Sequence, residues 1–238
     1  MSLVESTTAV APCEQATNTR LRWFEVSLVL LVSCGGFVIS SLRIFNYGVT
    51  SGSSGSGLRW LGGLYHEAIS LALLGYVLSR RRLSFKDIGL RWSFRDIASA
   101  FGIIIVSYLA YWTGGSIVHS IHHALFPAAT AKVSATTLFA HPGLFVIPFL
   151  LVNPFFEELV VRAYLMTEMR DLTGRWMPAI VASTAVQTAY HLYYGWEGAL
   201  SLAFQFAVFS IYFARTRRAW PIIIAHGLFD IWAFALLW

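Results

Sequence analysis

Long apolar runs separated by short polar stretches organise this chain. Seven runs, at about 23–45, 60–79, 97–119, 143–166, 176–194, 198–214 and 219–237, lie near the roughly 20 residues a helix needs to cross a hydrocarbon core. The Gly/Ser stretch "SGSSGSG" (51–57) reads as a flexible loop between the first two. The stretch 78–100, "LSRRRLSFKDIGLRWSFRDIASA", is amphipathic and basic, and is expected at the membrane interface before the third run. A poorly marked segment around 125–140 is the candidate for an eighth span. No internal repeat and no second domain is visible. The pattern predicts an all-α, polytopic transmembrane helix bundle of about seven spans, eight if that segment crosses. A polar, flexible tail (1–20) would precede one integral membrane domain (21–238).

Composition supports this reading. Of the 238 residues, 57% are hydrophobic and only 12% charged, about half the roughly 25% charge of a soluble domain. The net charge of +5 would raise nucleic acid in a soluble protein, but no basic stripe or base-stacking module is present. The basic residues sit in connections instead. Arg80, Arg81, Arg82, Lys86, Arg91 and Arg95 form one group, Arg170 and Arg175 another, and Arg215, Arg217 and Arg218 a third. Counting spans outward puts all three groups on one side, against Arg59 and Lys132 on the other. The positive-inside rule then predicts an N-terminus in and a C-terminus out, and a short chain with a polar tail and no organelle signal suggests the inner membrane of a prokaryotic cell. Trp23, Trp60, Trp176, Trp196, Trp220 and Trp238 fall near run ends, as an aromatic belt would. Cys13 and Cys34 are too far apart in context to imply a disulfide framework or a zinc site. The first run lacks a small-residue cleavage site and reads as a retained span.

Against this apolar background three polar clusters stand out. Glu157, Glu158 and Arg162 lie in the fourth run, His191 in the fifth, and His226 and Asp230 in the seventh. A charge at bilayer depth costs about 2.5–3.5 kcal/mol on insertion scales, so such groups face a bundle interior or cavity. Glu158 and Arg162 are i and i+4 and can pair on one face, while Glu157 is turned by about 100° from Glu158. Gln187 and His191, and His226 and Asp230, repeat the i, i+4 spacing. Pro154, three residues before Glu157, frees a backbone carbonyl and bends the helix, which helps open a cavity. A carboxylate with imidazoles in a partly dry pocket suits general-base activation of water. Glu157, His191 and His226 could alternatively ligate a divalent metal such as zinc; no metal or other cofactor is the favoured reading. Depth presents a tension: with the fourth helix ending near 166, His191 lies too far from the basic side to touch Glu157.

These residues carry a resemblance. "EELVVR" fits the EExxxR motif of the CAAX protease and bacteriocin-processing (CPBP, or Abi) family, and "HGLFD" resembles its later HxxxN/D motif. His191 stands where the intermediate FxxxH motif is expected, with Gln187 in place of its phenylalanine. "FKDIGLRWSFRDIASA" resembles the family's D-x-G-L-R interfacial stretch, so the resemblance spans about 80–238. It implies a glutamic-type intramembrane endopeptidase acting on a membrane-associated or lipid-modified peptide or protein. By the same resemblance Glu157 is the general base, assisted by His191. Glu158 and Arg162 are its supporting pair, and His226 and Asp230 stabilise the oxyanion.

Other groups read more plainly. His119, His122 and His123 form an interfacial cluster that could instead offer a metal pair, and His66 and Glu67 lack the second histidine of a zincin HExxH. Two further functions remain open: a non-catalytic member of the same fold acting as an immunity or scaffold protein, favoured by Gln187, and a small proton-coupled transporter, disfavoured by the missing repeat.

Overall fold

The computed structural model describes residues 12–48, 56–125 and 144–236. Among these, all regular structure is helical and forms seven helices: α1 (Pro12–Tyr47), α2 (Ser56–Arg80), α3 (Arg95–Leu125), α4 (146–173), α5 (Trp176–Tyr190), α6 (Gly195–Thr216) and α7 (Trp220–Ala235). α4 is one continuous rod in three parts. A π-helical segment, Glu158–Tyr164, joins the α-helical Val146–Glu157 to Leu165–Thr173.

Four helical stretches are long and apolar enough to cross a membrane: Thr19–Tyr47, Arg59–Arg80, Arg95–Leu125 and Leu192–Thr216, with Trp220–Ala235 apolar but shorter. α3 shows why they belong in lipid, since only 17% of its most apolar window is buried by protein. α4 is the opposite case. Every residue from Phe156 through Glu168 is buried, so the second part of the run read from sequence as a span is wrapped by protein, while Leu144, Ile147 and Leu151 in its first part are exposed. Hydropathy alone does not separate these cases, because a helix apolar all round is buried in either a core or a bilayer.

Several expectations change at the level of boundaries. α1 begins at Pro12, so the tail expected to run to Arg20 is helical over its second part. α5 has 15 residues and stops at Tyr190, short of the expected 194. Trp60 is buried against Phe149. The segment around 125–140, most of "SGSSGSG" and Trp238 lie outside the described residues.

The stretch between α2 and α3 forms a series of turns. Ser84 donates its hydroxyl and its amide to Asp87, and these bonds hold the Asp87 carboxyl below the usual carboxylate range. Gly89 sits at φ +112°, where a Cβ would come within 2.7 Å of the Arg217 carbonyl oxygen. Its own carbonyl accepts from the Ala219 amide at 3.0 Å. Arg218 closes the same corner with a two-pronged bond to Asp96, at 2.7 and 2.8 Å. The D-x-G-L-R residues thus fasten the α2–α3 connection to the turn between α6 and α7.

Elsewhere at this end, Arg81 binds Glu25 and, at 2.7 Å, Glu168, while Arg22 binds Glu168 at 3.0 Å. Among the described residues these pairs tie α1, α2 and α4 together. α3 packs most extensively along α6, and Gly114 permits the approach: a Cβ there would sit 2.2 Å from the Phe204 ring. Small residues at such crossings are what close packing between membrane helices requires.

Candidate active site

Glu157 and Glu158 end the first part of α4 and begin its π-helical part. Pro154 stands one turn earlier and has no N–H to offer the carbonyl four residues before it. Its ring lies 3.3 Å from where a Gly227 Cβ would be, so α4 and α7 meet closely here. That crossing brings His226 between the two glutamates. His226 Nδ1 lies 2.7 Å from Glu158 Oε1, and His226 Nε2 lies 3.9 Å from Glu157 Oε2 and 3.5 Å from Asp230 Oδ1. One imidazole therefore joins both acids of the EE pair, an arrangement that rotation around a single helix does not reveal.

Glu158 and Arg162 do pair, with Nε 3.4 Å from Oε2, and both side chains are fully buried. The guanidinium lies over the rings of Phe206 and Phe209 at 5.5 and 5.7 Å. Its Nη atoms have no hydrogen-bond partner among the described residues. π-helical turns are rare and recur at functional sites; this one carries the acid–arginine pair.

Glu157 is held from α5. Gln187 Nε2 and the Tyr190 hydroxyl each donate to its Oε2 at 2.7 Å. Gln187 is fully buried, and it grips the carboxylate rather than altering only the packing beside His191. His191 caps the end of α5, and its Nδ1 lies 2.8 Å from the Gln187 carbonyl oxygen. A carbonyl only accepts, so Nδ1 carries the proton and a neutral ring leaves Nε2 as an acceptor. Asn153 Nδ2 donates to Asp230 Oδ2 at 3.1 Å.

The depth tension resolves through helix length. α4 continues to Thr173, so Glu157 lies on the order of 24 Å from that end and His191 about 22 Å from the start of α5, at 1.5 Å per residue. Both reach one cavity of about 460 Å³ between α1, α2, α4, α7 and the turn after α5, which Glu157, His191, His226 and Asp230 all line. Five of the six residues singled out for catalysis thus meet within hydrogen-bonding or cavity contact, and Arg162 stands behind Glu158. Sequence reasoning missed Tyr190, Asn153 and His66 as participants. His66 lines the cavity and its Nε2 contacts the Ser33 carbonyl at 2.9 Å. Tyr190, adjacent to His191, gave no signal because tyrosine is common in apolar runs. Glu67 beside His66 is fully buried, and neither carboxylate oxygen has a hydrogen-bond partner among the described residues.

Among the described residues no group of three or more His, Cys, Asp or Glu is arranged to hold a metal ion. Away from the cavity, His119 and His122 both contact Glu197, at 2.7 and 3.1 Å, at the α3–α6 edge.

Residues 139–232 match the family described as Type II CAAX prenyl endopeptidase Rce1-like. This segment contains all six residues named from the motifs and supports assignment to the CPBP/CAAX protease family. No curated protein and no solved structure matches the chain.

Proposed function

We propose, on the match of residues 139–232 to the Rce1-like CAAX prenyl endopeptidase family, that the chain is an intramembrane endopeptidase in which Glu157 activates the attacking water without a metal. The observation that carries this reading is the holding of Glu157: two donors fix Oε2, while Oε1 has no hydrogen bond among the described residues and the side chain borders the cavity. A water seated between Oε1 and the substrate carbonyl loses a proton to Glu157 as its oxygen bonds to the carbonyl carbon. The acceptor Nε2 of His191 orients that water. Glu158 is paired with Arg162 and acts as an acceptor, so the 2.7 Å contact is His226 Nδ1–H donating to it. His226 Nε2 then points toward the cavity and, when protonated, donates to the developing oxyanion. Asp230, held by Asn153 and 3.5 Å from that Nε2, orients the ring until the oxyanion takes over as the acceptor. Fixed donors aimed at such an oxyanion are worth about 10²–10³ in rate. Collapse breaks the C–N bond, and Glu157 returns its proton to the leaving amine.

Comparative N-terminal proteomics of cells producing the full chain or its Glu157→Ala or His226→Ala variants tests the reading. One or more new N-termini should be present with the full chain and absent with both variants, at equal membrane levels of all three. Unchanged N-termini across the set would refute proteolysis and favour a binding role.

Gln187 separates this chain from the FxxxH pattern and supplies a second expectation. Gln187→Phe restores the motif but removes a hydrogen bond to a charged oxygen, an interaction worth about 1.5–3 kcal/mol. Cleavage is expected to fall by roughly 10–100-fold, the same energy expressed as a rate. Equal or faster turnover of Gln187→Phe would show that this residue fills space only.

A further inference from the structure

We propose that the catalytic cavity opens on the extracytoplasmic side, so that the bond cut belongs to a translocated or outward-facing segment of a membrane-attached protein. This rests on the protease reading for the cut itself, but the side on which the cavity opens is a property of the bundle alone.

Three observations fix the direction. The first is where the cavity runs. From Glu157 and His226 it extends to Ile44 near the end of α1, Arg59 near the start of α2, Phe149 near the start of α4, and Ala233 near the end of α7. Following the chain through the bundle, all four of these helix ends lie on the same side. No lining residue comes from the other ends of these helices.

The second observation is what closes the other side. Val160, Val161, Tyr164, Leu165 and Met166 follow Glu157 along α4 and are at most 1% exposed. Beyond them the Arg81–Glu25 and Arg81–Glu168 pairs bind the helix ends together. A peptide arriving from that end would have to break an apolar layer and then an ion-pair cluster.

The third is charge. Arg80, Arg81, Arg82, Lys86, Arg91, Arg95, Arg170, Arg175, Arg215, Arg217 and Arg218 all lie at the closed end, in or beside the short connections between helices. Among the described residues only Arg43 and Arg59 lie toward the open end. Basic residues in short loops next to span ends stay in the cytoplasm, and here they are separated from the cavity mouth by the length of the bundle. The geometry therefore points away from substrates modified and presented in the cytosol. It favours a peptide reaching the active site from the outer surface, where Gly62 and Gly63 line the cavity.

Cysteine accessibility in the full chain tests this without reference to activity. Cys13→Ser and Cys34→Ala provide the background. Into it are placed, singly, Ala233→Cys at the cavity mouth, Asn46→Cys at the same end, and Ser84→Cys in the basic connection; all three positions are exposed. Intact cells are treated with a membrane-impermeant maleimide before and after permeabilisation. Ala233→Cys and Asn46→Cys should label in intact cells, and Ser84→Cys only after permeabilisation. The reverse pattern overturns the proposal, and so does labelling of Asn46→Cys alone with Ala233→Cys unreactive even after permeabilisation, since the mouth would then be closed. The N-termini lost in Glu157→Ala cells give the second readout and should map to extracytoplasmic segments. Mapping to cytoplasmic segments defeats the proposed side while leaving the protease intact; the loss of no N-terminus defeats the protease while leaving the labelling result to stand.

Discussion

Glu157→Gln is expected to lower peptide cleavage by roughly 10²–10⁴-fold, the range for removing a positioned general base, with the bundle otherwise unchanged. The substitution keeps the shape of the side chain. Its carbonyl oxygen can accept the same two hydrogen bonds that Gln187 and Tyr190 give Glu157 Oε2. The amide nitrogen then occupies the place of Oε1, facing the cavity, where it donates and cannot take a proton from water. Fold and function therefore separate cleanly at this position. Thermal unfolding in detergent should match that of the unaltered protein, while single-turnover cleavage of a substrate identified by the N-terminal comparison should nearly vanish. If Glu157→Gln cleaves at close to the normal rate, the base lies elsewhere in the cavity, and His191, with its free Nε2, becomes the first replacement.

The chemistry of this site was more legible in the sequence than its architecture. Charged side chains within apolar runs must find polar company, so Glu157, Glu158, Arg162, His191, His226 and Asp230 could be picked out by cost alone. Local spacing then paired Glu158 with Arg162 correctly. Beyond one helix, spacing has no information. The sharing of His226 by both glutamates depends on how α4 crosses α7 at Pro154 and Gly227. Gln187 illustrates the same limit: as a departure from a motif it suggested altered packing, whereas its partner across the bundle makes it a grip on Glu157. The position of α4 was hidden for a different reason. A central helix surrounded by protein and a span surrounded by lipid select the same apolar residues, and only the burial of 156–168 distinguishes them. Helix length was also underread. Polar residues from Thr167 to Thr173 look like a loop in a hydropathy profile, yet Glu168 is buried and paired with Arg22 and Arg81, which carries α4 on to Thr173 and brings Glu157 to the depth of His191.

Arg162→Met is expected to destabilise the bundle by about 3–5 kcal/mol, the cost of leaving a buried ion without its partner. Arg162 is fully buried, and its pairing with Glu158 spans 3.4 Å. Aromatic faces of Phe206 and Phe209 supply the rest of its electrostatic support. Methionine fills much of the same volume, so the loss comes from charge rather than from a cavity. Glu158 would then be an anion in an apolar layer with His226 as its one remaining partner, and His226 would be drawn toward it and away from the cavity. A second substitution distinguishes this account from simple mispacking. In Arg162→Met with Glu158→Gln no unpaired charge remains, and neutral isosteres of a buried pair are often tolerated. The double variant should therefore regain most of the unfolding temperature lost by the single one, while cleavage stays low because His226 has lost the anion that holds its Nδ1 proton. A single variant as stable as the unaltered chain would mean that the guanidinium contributes only bulk. A double variant less stable than the single would mean that Glu158 is satisfied without Arg162, so the pair is not the unit that this geometry describes.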